Sequence, residues 1–145
     1  MPLPADKEGS FPRLASEGYV VTSPSTFEYN CIAFAADDHE NWWWPDDTGM
    51  GFWPVGVPRE ETIEAFVEAY ALLGYEKCGN GAAEIGFEKI AIYAEKGVPT
   101  HAAKQLPDGR WKSKLGAWED IQHNTVSGVC DSIYGQVAQF MRRAS

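Results

Sequence analysis

The segment TFEYNCIAFAADDHENWWWP, residues 26–45, carries the pattern from which a fold and a function are predicted. Asn30 is followed by Cys31 and a run of small and apolar residues, which is typical of a helix that begins after an asparagine N-cap. We expect this helix to run from Cys31 to about Asp37. A cysteine at a helix start is either a buried apolar residue or a nucleophile, because unpaired peptide N–H groups there stabilise a thiolate.

The composition limits the classes of protein to consider. The chain has 145 residues, 44% of them hydrophobic, which suits a single domain spanning residues 1–145 around one core. Twelve basic and twenty-one acidic side chains give a net charge of −9. Because this charge repels phosphate backbones and anionic lipids, we expect neither nucleic acid nor a membrane surface as partner.

The three cysteines, Cys31, Cys78 and Cys130, are widely separated and show no C-x-x-C spacing. This spacing argues against a disulfide framework and against a cysteine-rich zinc site. The first 14 residues lack the apolar segment of a secretory signal, and every apolar run is too short to span a bilayer. We therefore expect a cytoplasmic protein with no metal and no cofactor.

Local patterns predict an α+β order of elements. Residues 1–17, with three prolines, are expected to form an irregular arm, and GYVVT is expected to form a strand. Residues 38–58 are rich in Pro, Gly and Asp, so they are expected to form a long loop of the kind that often has a function. Apolar residues at helical spacing predict a helix from about Arg59 to Leu73. Four strand candidates follow: KIAIYA, THAAKQL, RWKSKL and GQVAQFM, with Pro-Asp-Gly as a turn between the second and third.

A nucleophilic cysteine needs a base, and the chain has three histidines. His39 lies in the acidic loop, and His123 lies in a segment predicted to be a surface turn or a short helix. His101 begins the strand THAAKQL, where small neighbours leave room for another element. His101 is therefore the candidate base for Cys31, and the alternative is a structural strand histidine.

An imidazole that acts as a base also needs a group that orients it. Asp120 is the preferred candidate, because a carboxylate is the commonest partner of a catalytic imidazole. Ser113 is the alternative, since it lies on the next hairpin strand. In a purely structural interpretation, Asp120 caps a helix that continues through His123.

The tryptophans of the long loop are candidate substrate-binding residues. Trp42, Trp43, Trp44 and Trp53 could form a platform on which a substrate stacks, with Trp43, Trp44 and Trp53 as the selected residues, or they could fix the loop to the core. Adjacent side chains cannot all point in one direction. We therefore expect at least one of the tryptophans to pack inward.

Two segments resemble the papain-like cell-wall endopeptidases of the NlpC type. SPSTFEYNCIAFA is similar to the segment around that family's nucleophile, and EKIAIYAEKGVPTHAA is similar to its paired strands. The resemblance covers under a quarter of the chain. It implies a helix packed on an antiparallel sheet, with Cys31 as nucleophile and His101 at the third, orienting position. The position of the family's base falls on Lys89, whose pKa must drop by several units before it works as a base.

The whole chain also resembles a bacterial family of unsettled function with Tyr-Asn-Cys-Ile-Ala, Thr-His-Ala-Ala and Ser-Lys-Leu-Gly segments. Two functions are therefore expected. The first is a cysteine hydrolase or acyltransferase that acts on a peptide or a small amide or ester through Cys31 and His101. The alternative is a non-catalytic, antitoxin-like module with a papain-like shell that binds a protein partner.

Overall fold

A computed structural model describes residues 2–130 and 133–145 of the chain. Its helices are α1 Ala5–Glu8, α2 Pro12–Glu17, α3 Cys31–Ala35 and α4 Ile63–Ala71, with a 3₁₀ turn at Val126–Val129. Its strands are β1 Tyr19–Ser23, β2 Glu76–Cys78, β3 Phe87–Glu95, β4 Val98–Gln105, β5 Trp111–Lys114, β6 Asp120–His123 and β7 Gln136–Ala144. The strands form one antiparallel sheet in the order β1-β6-β5-β4-β3-β7-β2, so the fold is α+β.

Each face of the sheet has its own hydrophobic core, because successive side chains of a strand point to opposite faces. On β3, Ile90 and Ile92 pack in the core formed with α3 and α4, which we call the helix face. Ala91 and Tyr93 pack in the core formed with α2 and the 3₁₀ turn, which we call the arm face. A shift of one residue along a strand therefore moves a side chain from one core to the other.

Helix α3 begins as the sequence predicts and ends two residues earlier. The side chain of Asn30 accepts a hydrogen bond from the N–H of Ala33, as an N-cap should. The helix stops at Ala35 because Asp37 takes a left-handed conformation with φ of 61°, and the N–H of Asp38 returns to the carbonyl of Ala33. All five residues of α3 are buried against the helix face.

The N-terminal arm differs from the irregular segment that the sequence predicts, since it contains α1 and α2. Pro12 is the first residue of α2, where its missing N–H costs nothing, so it starts a helix instead of breaking one. Leu3, Phe11 and Leu14 are buried in the arm-face core. The arm is therefore part of the folded domain.

The four strand candidates are all present, as β3, β4, β5 and β7, and the Pro-Asp-Gly turn joins β4 to β5. The predicted helix is also present, but it begins at Ile63 instead of Arg59, because Thr62 provides its N-cap. The segment around His123 is strand β6 instead of the predicted turn or helix, and β2 was not predicted. The loop of residues 38–58 contains a single isolated bridge, between Trp43 and Phe52.

Strands β4 and β5 separate soon after the turn that joins them. Among the described residues, their ladder contains only the pairs Gln105–Trp111 and Lys104–Lys112. Beyond these pairs, β5 remains paired with β6, and β4 remains paired with β3. This split in the sheet lies beneath the start of α3 and positions the site described next.

Candidate functional site

A cleft of about 310 Å³ opens where β4 and β5 separate. It is lined by residues from the start of α3, the long loop, strand β4, the turn after β5 and the segment before β7: Asn30, Cys31, Trp42, Trp44, Thr100, Gly116 and Tyr134. Three of these are aromatic, and the lining is largely apolar. The cleft is large enough for one amino-acid side chain or a small ligand.

Cys31 is the first residue of α3 and lines this cleft, and its thiol is buried. Its Sγ lies 4.0 Å from the carbonyl oxygen of Thr100. Burial raises the pKa of the Cys31 thiol to about 11. Hydrogen bonds to backbone groups and the charge of Lys114 lower this pKa, but their effect is smaller than that of burial. A five-residue helix contributes only a small dipole, so the cost of burying a thiolate dominates. The thiol is protonated at neutral pH.

His101 lies on the opposite face of the sheet from Cys31. It is paired with Tyr93 across the β3–β4 ladder, the two rings lie 5.1 Å apart, and Tyr93 belongs to the arm-face core. The next residue, Ala102, packs with Cys31 in the helix-face core. The structure therefore does not bring the predicted nucleophile and the predicted base together. His101 is fully buried and makes its hydrogen bond with Ser113.

Ser113 links two buried histidines across the split. Its Oγ lies 3.1 Å from Nε2 of His101 and 2.8 Å from Nε2 of His123. The carbonyl of Thr125 lies 2.8 Å from Nδ1 of His123, so that nitrogen must carry the proton. Ser113 then donates to His123 and accepts from His101, which leaves Nδ1 of His101 as a buried acceptor with no hydrogen-bond partner.

Burial keeps both of these histidines neutral. It lowers the pKa of His123 to about 4, although the carbonyl of Thr125 opposes the shift. It lowers the pKa of His101 well below the ordinary value, and the neighbouring His123 adds to the shift. The ring of Tyr134 stacks on His101 at 4.0 Å between centroids and also lines the cleft. Tyr134 therefore contacts both the cleft and the histidine pair.

Asp120, the preferred orienting residue, lies on the helix face and does not contact His101. Its Oδ2 accepts a 2.5 Å hydrogen bond from the hydroxyl of Tyr29, and its Oδ1 has no partner. Burial raises the pKa of the Asp120 carboxyl, while Tyr29 and Lys114 oppose the shift. Of the two orienting candidates, it is Ser113 that the structure places against His101.

Lys89, Lys104 and Lys114 are buried lysines of the sheet, and two of them bear on the predicted site. Lys114 pairs with Asp120 across β5 and β6 and donates hydrogen bonds to the carbonyls of Thr26 and Trp118. Burial lowers its pKa, although Asp120 and Cys31 favour its charged form. Lys89, at the base position of the NlpC-type pattern, donates to Asn80 and pairs with Glu84.

The tryptophans divide between the core and the cleft. Trp43 and Trp53 are buried, and their indole N–H groups donate to Asp38 and to the carbonyl of Pro58. Trp44 is half-buried, packs on Phe66 and lines the cleft. The burial of Trp43 and Trp53 matches the expectation that at least one of the tryptophans packs inward.

The sequence placed Trp42 in the possible platform without selecting it as a site residue, and it gave no indication of Tyr134. Trp42 belongs to the same triplet as Trp44 and is separated from it by two positions, so alternation along an extended segment would place both on one side. Tyr134 reaches the cleft only through the tertiary fold, and no local pattern identifies it.

Within residues 2–130 and 133–145, no group of three or more His, Cys, Asp or Glu side chains is placed to hold a metal ion. Over the same residues, no helix combines the length and the apolar character that crossing a bilayer requires.

The fold and the cleft define a small α+β protein with an aromatic pocket beside a buried thiol. The chain belongs to the family described as a domain of unknown function, DUF7689, whose family model matches residues 20–142. The match includes every residue that lines the cleft. No curated protein and no solved structure matches the chain.

Proposed function

We propose that this protein is a non-catalytic binding module whose aromatic cleft receives a group from a protein partner. The observation that carries the proposal is the position of His101, which is hydrogen-bonded to Ser113 on the sheet face opposite Cys31. A general base must reach the proton that it removes, either directly or through one water. The cleft thus combines an apolar lining with a thiol whose predicted base, His101, lies on the other face of the sheet.

The surroundings of the cleft support a protein partner. Trp42, which lines the cleft, stacks loosely on Phe27, whose side chain is 82% exposed. Met50 and Val55, in the same long loop, are also exposed. Several exposed apolar side chains in one segment are typical of a surface that binds another protein.

Labelling of the cysteines tests whether the thiol of Cys31 is activated as a nucleophile. Because the pKa of Cys31 is raised to about 11, only a very small fraction is thiolate at pH 7. We expect iodoacetamide to label Cys31 at pH 7 more slowly than the partly exposed Cys78, with a rate that rises toward pH 11. Mass spectrometry of tryptic peptides at timed intervals gives the rate for each cysteine. Rapid labelling of Cys31 at pH 6.5 would overturn the proposal.

A cysteine hydrolase or acyltransferase, with a papain-like arrangement, is the second candidate. It is favoured by one observation, the thiol of Cys31 in the lining of a ligand-sized cleft. In this reaction the sulfur would attack an amide or ester carbonyl, and the leaving group would take the thiol proton by way of His101. His101 would have to reach the cleft past the ring of Tyr134, which stacks on it.

The pH profile of labelling in Tyr134→Ala separates the two functions. Removing the ring increases access to Cys31 in either case. If His101 then activates the thiol, the profile gains a step at or below pH 6.5; if it does not, the rate still rises only toward pH 11. The double variant Tyr134→Ala, His101→Asn is the matched control, since any such step must disappear in it.

A further inference from the structure

The walls of the cleft have the chemistry of a receptor for a cation. Trp42 and Trp44 come from the long loop, and Tyr134 comes from the other end of the chain, yet all three line one cavity. The π face of an aromatic ring carries partial negative charge and attracts an ammonium group, most strongly for tryptophan. Several rings around a small cavity form the arrangement by which proteins recognise ammonium groups.

Five of the protein's twelve lysine and arginine side chains stack on other rings. The pairs are Lys7 on Trp118, Lys112 on Phe34, Lys114 on Tyr29, Arg142 on Phe87 and Arg143 on Tyr75. In the part of the chain that the structure describes, no lysine or arginine stacks on Trp42 or Trp44. These two indoles are therefore available to a cation from another molecule.

The segment that supplies most of the cleft is strongly acidic. Between Arg13 and Arg59 the chain contains seven acidic residues and neither lysine nor arginine. Some of these carboxylates are paired, such as Asp37 with Lys104 and Asp46 with Arg59. Glu28, Glu40 and Asp47 are exposed. These exposed carboxylates belong to the same segment as Trp42 and Trp44, and they attract a positively charged partner and repel an anionic one.

We propose that the cleft receives the ammonium group of a lysine side chain from a basic protein partner. The inference rests on the proposed binding function and gives the chemistry of its ligand. The volume of about 310 Å³ suits one side chain rather than an extended ligand. The methylene stem of a lysine can lie along the indoles, and the carbonyl of Thr100 lies at the cleft as an acceptor.

A pair of tripeptides that differ only in charge tests the proposal. The probes are acetyl-Gly-Lys-Gly-amide and the same peptide with norleucine in place of lysine, titrated while the indole N–H signals are followed by NMR. We expect the lysine peptide to bind at least fivefold more tightly than the norleucine peptide. A trimethyllysine version should bind more tightly again, because it is more easily desolvated. Equal affinities for lysine and norleucine would overturn the proposal, as would indole signals that do not shift.

Two matched variants show whether binding occurs in the cleft. Trp42→Leu removes one cleft ring and should weaken binding of the lysine peptide about fivefold or more. Phe52→Leu removes an exposed ring of the same loop that does not line the cleft, and it should leave the affinity unchanged. An equal effect of both variants would indicate attraction by the net charge alone and would overturn the proposal.

The binding function and the cationic nature of its ligand are contradicted by different results. Rapid labelling of Cys31 at pH 6.5 contradicts the binding function, whatever the tripeptides do. A slow, unactivated Cys31 together with equal lysine and norleucine affinities leaves a binding module whose ligand is not cationic. Circular dichroism of each variant establishes that it is folded before its affinity is compared.

Discussion

At the scale of the residue, the hydroxyl of Ser113 holds two buried imidazoles in place. Ser113→Ala would leave Nε2 of both His101 and His123 without a partner inside the protein. Since a buried polar group without a partner costs about 1–3 kcal/mol, we expect a loss of about 2 kcal/mol or more in the free energy of unfolding. Urea denaturation measures it. Ser16→Ala, which removes an exposed hydroxyl, should change stability by less than about 0.5 kcal/mol.

The same two histidines make stability depend on pH in a defined window. Burial lowers the pKa of His123 from 6.5 to about 4, so the unfolded chain binds its proton first as the pH falls. The stabilisation is fully present above pH 6.5 and is lost as the pH falls from 6.5 toward 4, at up to about 1.4 kcal/mol per pH unit. His101, whose pKa is also lowered, acts in the same direction.

Urea denaturation between pH 7.5 and 4.5 checks this dependence. His123→Asn should give a flatter curve, because one of the two buried imidazoles is gone. His39→Asn removes an exposed histidine and should keep the slope of the original protein. If His123→Asn leaves the slope of unfolding free energy against pH unchanged, His123 is not a source of this pH dependence.

At the scale of the element, helices α3 and α4 both begin at a side-chain N-cap, and the two caps make different numbers of hydrogen bonds. The Oδ1 of Asn30 accepts from the N–H groups of Ala33 and Trp43, and its Nδ2 donates to the carbonyl of Trp43. Asn30 therefore ties the start of α3 to the long loop as well as capping the helix. At α4, Thr62 caps Ala65 only.

The two caps should differ in their contribution to stability. We expect Thr62→Ala to lower the free energy of unfolding by about 1 kcal/mol, which is usual for a cap. Asn30→Ala should cost about 2 kcal/mol or more, because buried backbone groups of the loop also lose their partner. Thermal or urea unfolding of both variants gives the comparison, and equal losses would show that the link to Trp43 contributes nothing.

Elements with a clear apolar period could be predicted from the sequence, and those without one could not. The face of α4 and the strands β3, β4, β5 and β7 follow the patterns expected of them. Strand β6 was missed because its side chains on one face, Asp120 and Gln122, are polar although Asp120 is buried. The hydrogen bond that Asp120 accepts comes from Tyr29, a distant residue that no local pattern includes.

At the scale of the whole molecule, the class α+β could be predicted, but the assignment of residues to the two cores could not. His101 and Ala102 are adjacent in sequence, yet one faces the arm and the other faces α3. Whether Cys31 and His101 can meet therefore depends on the face of the sheet to which His101 points, and a shift of one residue along β4 reverses that face. The packing of Tyr93, Ser113 and Tyr134 around the imidazole holds His101 on the arm face.

The net charge of −9 is a property of the molecule as a whole, and it should make stability rise with salt. Repulsion among exposed carboxylates acts over the Debye length, which falls from about 30 Å at 0.01 M to about 8 Å at 0.15 M. Exposed ion pairs weaken over the same range, but each contributes only about 0–1 kcal/mol, and the pairs of the buried Lys104 are less screened.

Urea denaturation at pH 7 in 0.01 M and 0.15 M sodium chloride shows whether repulsion among carboxylates or attraction within ion pairs has the larger effect on stability. We expect the free energy of unfolding to increase by about 0.5–1 kcal/mol at the higher salt, because self-repulsion outweighs the exposed pairs. The pI of about 4.7 supplies an internal control, since the increment should vanish near that pH, where the net charge is zero. A decrease with salt at pH 7 would mean that ion pairs such as Arg142–Glu84 stabilise the fold more than the excess of carboxylates destabilises it.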